Sequence, residues 1–250
     1  MSIKIIQVDI GEGTQWGQDL ARRVIRDICI PSVKSYANRF DYSYELITTS
    51  TYKEKIGPFD FLMKESKHYA FERYLHLDSA YDYLVYIDND IYISESAERL
   101  PDIHGLMATA EPGNTNSKNM FVQLNNLNPS THYINSGMFM ADKNSAKQLG
   151  DYMIYRAKNY LRAKGKSTDN MMFNEYIISD LNPTFSELGE KWNYMPMLPG
   201  STVGLSANFM HLVGIDGKAF LTQLNEINAP MTELLEMITT GKIKIKSPPN

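Results

Sequence analysis

The chain has 250 residues, enough for one large α/β domain with a sizeable core. Its formal net charge of −4 argues against nucleic acid as the main partner, because binding phosphate needs a basic face. The single cysteine, Cys29, excludes an intrachain disulfide and fits a reducing compartment. Its apolar neighbours Val24, Ile25, Ile28 and Ile30 mark it as a core residue rather than a nucleophile. No apolar stretch is long enough to span a bilayer, and Met1-Ser2-Ile3-Lys4 runs directly into a strand-like segment with no signal-peptide pattern. A soluble, cytoplasmic protein is therefore expected.

In chain order, residues 3–10 predict a first strand broken by Gly11 and Gly13. Residues 19–38 carry Leu20, Val24, Ile28, Val33 and Tyr36 at helical spacing, with Pro31 marking a kink or a break. A second strand is expected over 42–48 and a turn at Gly57-Pro58. A helix over 61–77 then carries Lys67, His68 and Arg73. The third strand is Tyr83-Leu84-Val85-Tyr86-Ile87 and runs on into Asp88-Asn89-Asp90. Residues 110–130 are rich in Asn, Gly, Pro and Ser and predict a long loop, the place for a mobile flap or an acceptor-binding segment. Residues 133–140 enter another strand through Asn135-Ser136-Gly137. Helices follow over 145–164 and 169–178, an extended segment over 191–196, and a last strand over 208–213.

Strands alternating with helices predict right-handed crossovers and a mainly parallel central sheet, with ligands beyond the carboxyl ends of the strands. Asp9 and Ile10, Asp88 to Asp90, and His211 then share one rim. The run before Asp88 is apolar enough to be buried on both faces. Two carboxylates at its end are costly without a cation. In an extended chain Asp88 and Asp90 share a side, so both can reach one ion, and His211 adds a neutral nitrogen. Two carboxylates and an imidazole suit Mn²⁺ or Mg²⁺ better than Zn²⁺.

Four pieces occur in register: Asp9, Asp88-Asn89-Asp90, Asn135-Ser136-Gly137, and His211-Leu212-Val213-Gly214-Ile215-Asp216-Gly217-Lys218. Over residues 3–218 the chain resembles the GT-A glycosyltransferases, nearest to the retaining family of glycogenin and the bacterial lipopolysaccharide galactosyltransferases. Val85 to Ile93 matches its "YLDADVLV"-like strand, and Ile134 to Met140 its "FNAGVMV"-like segment. Asp169-Asn170 matches its "DQ", with Asn where relatives carry Gln. His211-x-x-Gly214 matches its H-x-x-G-x-x-K, with Lys218 one residue late.

The resemblance implies a Rossmann-like GT-A nucleotide-diphospho-sugar transferase fold over residues 1–250, with a nucleotide-binding half (1–110), a donor and acceptor half (131–218), and a C-terminal helix and basic tail (230–250). It implies a hexosyltransferase-like enzyme that moves sugar from a UDP- or GDP-sugar to a glycan or glycoconjugate hydroxyl, with retention and with Mn²⁺ or Mg²⁺. Asp88, Asp90 and His211 are then the metal ligands. Asp9, Ile10, Lys67, Arg73, Asp88, Asn89, Asn135, Ser136, Gly214 and Lys218 bind the donor. Asp169 and Asn170 are the catalytic pair, Asp169 positioning the donor sugar and Asn170 on its β face. In the tail, Met231, Leu234, Leu235 and Ile238 fall at helical spacing before Lys242, Lys244 and Lys246, which would give weak, salt-sensitive contact with an anionic membrane.

Two alternatives use the same carboxylates. A phosphohydrolase of the haloacid dehalogenase type would make Asp88 a nucleophile, although its motif normally sits on the first strand. A non-catalytic nucleotide-sugar-binding module would bind without turnover.

Overall fold

The computed structural model describes residues 1–10, 22, 24–56, 71–113, 115–159, 169–179, 184–195, 198, 200 and 207–212. The expected 230–239 helix and the lysine tail lie outside the described residues.

A six-stranded sheet forms the centre. Its strands are β1 (Ile3–Val8), β2 (Ser43–Ile47), β3 (Tyr83–Ile87), β5 (Leu106–Ala110), β6 (Ile134–Asp142) and β7 (Phe185–Leu188), in the order β2-β1-β3-β6-β5-β7. β1 is parallel to both β2 and β3, β5 is parallel to β7, and β6 runs antiparallel to β3 and β5. The expected mainly parallel α/β sheet is therefore present. β4 (Ile91–Ile93) and β8 (Phe209–His211) form a separate antiparallel pair. The last strand thus lies outside the central sheet and delivers His211 from across the rim.

Both faces of the sheet are buried, which the continuous apolar runs of β1 and β3 require. Ile6, Val8, Leu84, Tyr86, Leu106, Ala108 and Phe139 face one core. It is closed by α4 (Lys143–Asn159) and α5 (Asp169–Ile177) through Leu149, Met153, Met172 and Phe173. Ile3, Ile5, Val85, Ile87, Met138 and Met140 face the other. There they meet Val33, Tyr36 and Ala37 of α1 (Ile30–Arg39), one helical stripe, together with β4, Trp192 and Phe209. The helix type changes just before Pro31. A π turn over Ile25–Cys29 leads into α1, and the proline sits in the first turn of α1, where a missing N–H costs little.

A short α2 (Tyr52–Lys55) follows β2, and a 3₁₀ turn spans Arg73–His76. Residues 110–130 are not one long loop. Ala110 ends β5, and α3 (Asn116–Leu124) occupies the middle. Thr115 caps α3 by accepting the Lys118 N–H at 3.1 Å, and Phe121 is its single buried side chain. One anchor gives no visible periodicity, so the polar composition concealed the helix. No helix among the described residues is long and apolar enough to cross a membrane.

Candidate active site

β1, β3 and β5 point the same way, so Asp9, Asp88 and Glu111 emerge at one edge of the sheet. Asp88 continues the pleat, because its N–H donates to Gly137 O at 2.7 Å. The chain then turns, closed by Ile91 N–H to Asp88 O at 3.2 Å, so Asp88 and Asp90 converge through a turn rather than along an extended strand. Ile91 of β4 pairs with His211 of β8, and Leu212 N–H donates to Asp90 O at 3.1 Å, which lays the imidazole across the turn. His211 Nε2 lies 3.2 Å from Asp90 Oδ1 and 3.8 Å from Asp88 Oδ2. One ligand atom from each of the three residues falls within 4.8 Å of the others. Gly137 makes the room: a Cβ there would stand 2.3 Å from His211 Cε1 and 2.6 Å from Asp88 Oδ2.

Burial pushes the Asp88 carboxyl up from its ordinary range, with Asp90 adding to the rise and Arg73 opposing it. Burial also opposes ionisation of Asp90, but His211 outweighs it and holds that carboxyl down. His211 in turn is raised against its own burial by Asp90.

Backbone donors fix the polar chain behind His211. Gly137 N–H donates to Asn135 Oδ1 at 2.9 Å, so the Asn135 amino group faces Glu111 Oε1 at 3.2 Å. Asn193 Nδ2 donates to the same Asn135 oxygen at 3.2 Å. Asn193 Oδ1 therefore faces His211 Nδ1 at 3.0 Å and must accept its N–H. That hydrogen bond aims Nε2 at the carboxylates, as a metal-ligating histidine requires.

Arg73 is buried and spans the site. Nη1 donates to Asp88 Oδ1 at 3.1 Å and Ser136 O at 2.9 Å, and Nη2 pairs with Asp169 Oδ2. Its guanidinium lies 4.7 Å from the centre of the Tyr86 ring. Asn170 Oδ1 accepts the Ser136 N–H at 2.8 Å, so its amino group faces Glu111 at 3.5 Å. Burial raises the Glu111 carboxyl, against hydrogen bonds from Thr115 and Asn135. Asn89 Nδ2 donates to Asp9 Oδ1 at 3.2 Å, and Ile10 packs on the first core.

Asp9, Asp88, Asn89, Asp90, Arg73, Asn135, Ser136, Asp169, Asn170 and His211 thus form one linked set. Lys67, Gly214 and Lys218 lie outside the described residues. Glu111, Asn193 and Tyr86 join the set without having been singled out from the sequence, and Gly137, read only as part of the Asn135-Ser136-Gly137 motif, makes room for it. Glu111 was hidden by the loop reading of 110–130; placing β5 would have put it at the rim. Asn193 has no sequence signal of its own.

The donor set fits a divalent cation such as Mn²⁺ or Mg²⁺: two carboxylate oxygens, an oriented imidazole nitrogen, and a cradle that only glycine leaves open.

No protein-family model matches the chain, and no curated protein sequence matches it. Solved structures do. One is a glycosyltransferase involved in the glycosylation of the major capsid of PBCV-1, with 14% identity and a TM-score of 0.56, covering 91% of this chain and 100% of that one. Another is the galactosyltransferase LgtC in complex with donor and acceptor sugar analogues, with 13% identity and a TM-score of 0.55, covering 99% of this chain and 98% of that one. An active-site mutant of LgtC matches at 13% identity and a TM-score of 0.53, covering 93% and 98%. Over nearly its whole length, the chain has the GT-A fold of these glycosyltransferases.

Proposed function

We propose that this protein is a metal-dependent glycosyltransferase that moves a sugar from a nucleoside-diphosphate sugar to a hydroxyl of a glycan or glycoconjugate. The observation that carries the reading is the convergence of Asp88, Asp90 and His211 at the rim of a GT-A sheet, beside Arg73 and Asp169. In this reading the three residues hold Mn²⁺ or Mg²⁺. When bound, the cation neutralises charge on the departing nucleoside diphosphate. Asp9 and Asn89, linked at the end of β1, address the nucleoside. Asp169, Asn135 and Ser136 hold the sugar, and Arg73 pairs with Asp169 and holds it in place.

The hydrolase alternative is less well supported. It needs a free Asp88 nucleophile, yet Oδ1 accepts from Tyr86 and Arg73 while Oδ2 faces His211. Asp90→Ala should cut release of UDP or GDP from nucleotide sugars by roughly a hundredfold or more. Near-normal turnover would remove Asp90 from the metal site. Retention is proposed because the resemblance assigns the amide Asn170 to the β face of the donor sugar, and an amide is no base for inversion. Proton NMR of the first product from an α-linked donor should show an α linkage, and a β linkage would overturn retention.

A further inference from the structure

Asp88 has two oxygens, and a carboxylate free to rotate can offer a cation either one or both. In this chain one oxygen is already committed. Tyr86 lies two residues before Asp88, and the pleat carries through to Asp88, so the period of two puts the phenol and the carboxylate on the same face of the strand. The Tyr86 hydroxyl donates to Asp88 Oδ1 at 2.5 Å. Arg73 Nη1 donates to the same oxygen at 3.1 Å. The phenol is only 3% exposed, with its ring stacked on Phe139 and beneath the Arg73 guanidinium, so its hydroxyl has little freedom to turn away. The Asp88 backbone is held as well: its N–H donates to Gly137 O, and its carbonyl accepts from Gln7 Nε2 at 3.1 Å.

We propose that Tyr86 is a positioning residue for the metal site, whose hydrogen bond restricts Asp88 to one-oxygen ligation through Oδ2. This rests on the reading that Asp88, Asp90 and His211 take a divalent cation. With Oδ1 occupied, the only Asp88 oxygen facing the cradle is Oδ2, the one 3.8 Å from His211 Nε2. With a cation bound, one-oxygen ligation would leave room for a further oxygen ligand that a two-oxygen aspartate would displace. Arg73 holds the same oxygen with one N–H of Nη1 while its other donors serve Ser136 O and Asp169, so removing the phenol alone reads what Tyr86 adds to that hold.

The test is Tyr86→Phe, which keeps the ring and its packing and removes only the hydroxyl. The comparison is Tyr36→Phe, which loses another buried tyrosine hydrogen bond, to Glu98 O at 2.7 Å. Mn²⁺ is titrated calorimetrically into the full chain of each, and the electron paramagnetic resonance spectrum of the bound ion is recorded. Tyr86→Phe should raise the Mn²⁺ Kd about tenfold and change the spectrum, as loss of a group orienting a ligand does, while Tyr36→Phe matches wild type. An unchanged Kd and spectrum in Tyr86→Phe, or an equal loss in Tyr36→Phe, would overturn the proposal. A wild-type protein that binds no Mn²⁺ or Mg²⁺ would instead overturn the metal reading beneath it.

Discussion

At the scale of single residues, the site is built by what each side chain cannot do. Gly137 has no Cβ, and that gap lets Asp88 and His211 approach each other. Gly137→Ala puts a methyl inside both contacts, so something must move. Stability should fall by about 1–3 kcal/mol, and the Mn²⁺ Kd should rise about tenfold or more. Calorimetric titration would read the Kd, and wild-type affinity in Gly137→Ala would contradict the geometry. Asp88, Asp90 and His211 were legible in the sequence because carboxylates after an apolar strand are chemically conspicuous. Glycine was legible only as part of a motif; that it spares an imidazole from across the rim is a tertiary fact. Arg73 is expected to bind the donor, and its guanidinium also links Asp88, Ser136 and Asp169, which no local pattern announces. Asn193 was invisible because orienting an imidazole depends on distance and burial, not on any local pattern.

At the scale of elements, the rim depends on how α2 is fastened to the segment carrying Arg73. Glu72 is fully buried and accepts hydrogen bonds from Thr51 N–H at 2.8 Å, Thr51 Oγ1 at 2.6 Å and Ser50 Oγ at 2.8 Å, with His76 Nε2 at 2.9 Å. Burial opposes its ionisation, but these hydrogen bonds prevail and hold its pKa at about 2 against an ordinary 4.5. The folded value lies below the unfolded one, so the stabilisation is full above about pH 4.5 and is lost as pH falls toward 2. It amounts to roughly 3 kcal/mol. Glu72→Gln should therefore be less stable than wild type at pH 7, and the gap should narrow as pH drops through that window. Urea unfolding at several pH values measures it; a gap independent of pH would contradict the account. The strands β1, β2, β3 and β6 were legible from their apolar runs. α3 was not, because a cap and one buried Phe121 fix it, and neither leaves a periodic stripe. β8 was legible as a strand but not as the partner of β4, since pairing across more than a hundred residues leaves no local signal.

At the scale of the molecule, an identity of 13–14% accompanies a fold shared along almost the entire chain. That combination follows from what specifies each part. A sheet buried on both faces needs only apolar residues of suitable volume, which many sequences supply. The rim needs particular atoms at particular distances, and there this chain places two carboxylates, a histidine, a glycine and several buried asparagines. The polar chain from His211 through Asn193 and Asn135 to Glu111 ties the Asp88–Asp90–His211 cluster to Asn170.

The most direct measurement of the central claim is thermal unfolding of the full chain with UDP or GDP, in the presence and absence of Mn²⁺ or Mg²⁺. At a hundredfold excess over Kd, a ligand bound only by the folded state adds about 2.7 kcal/mol, which for a chain this long raises Tm by roughly 5–10 °C. The account predicts that rise for one of the two nucleotides only when metal is present, and its loss in Asp90→Ala. A nucleotide shift indifferent to metal, or no shift with either nucleotide and either metal, would contradict it.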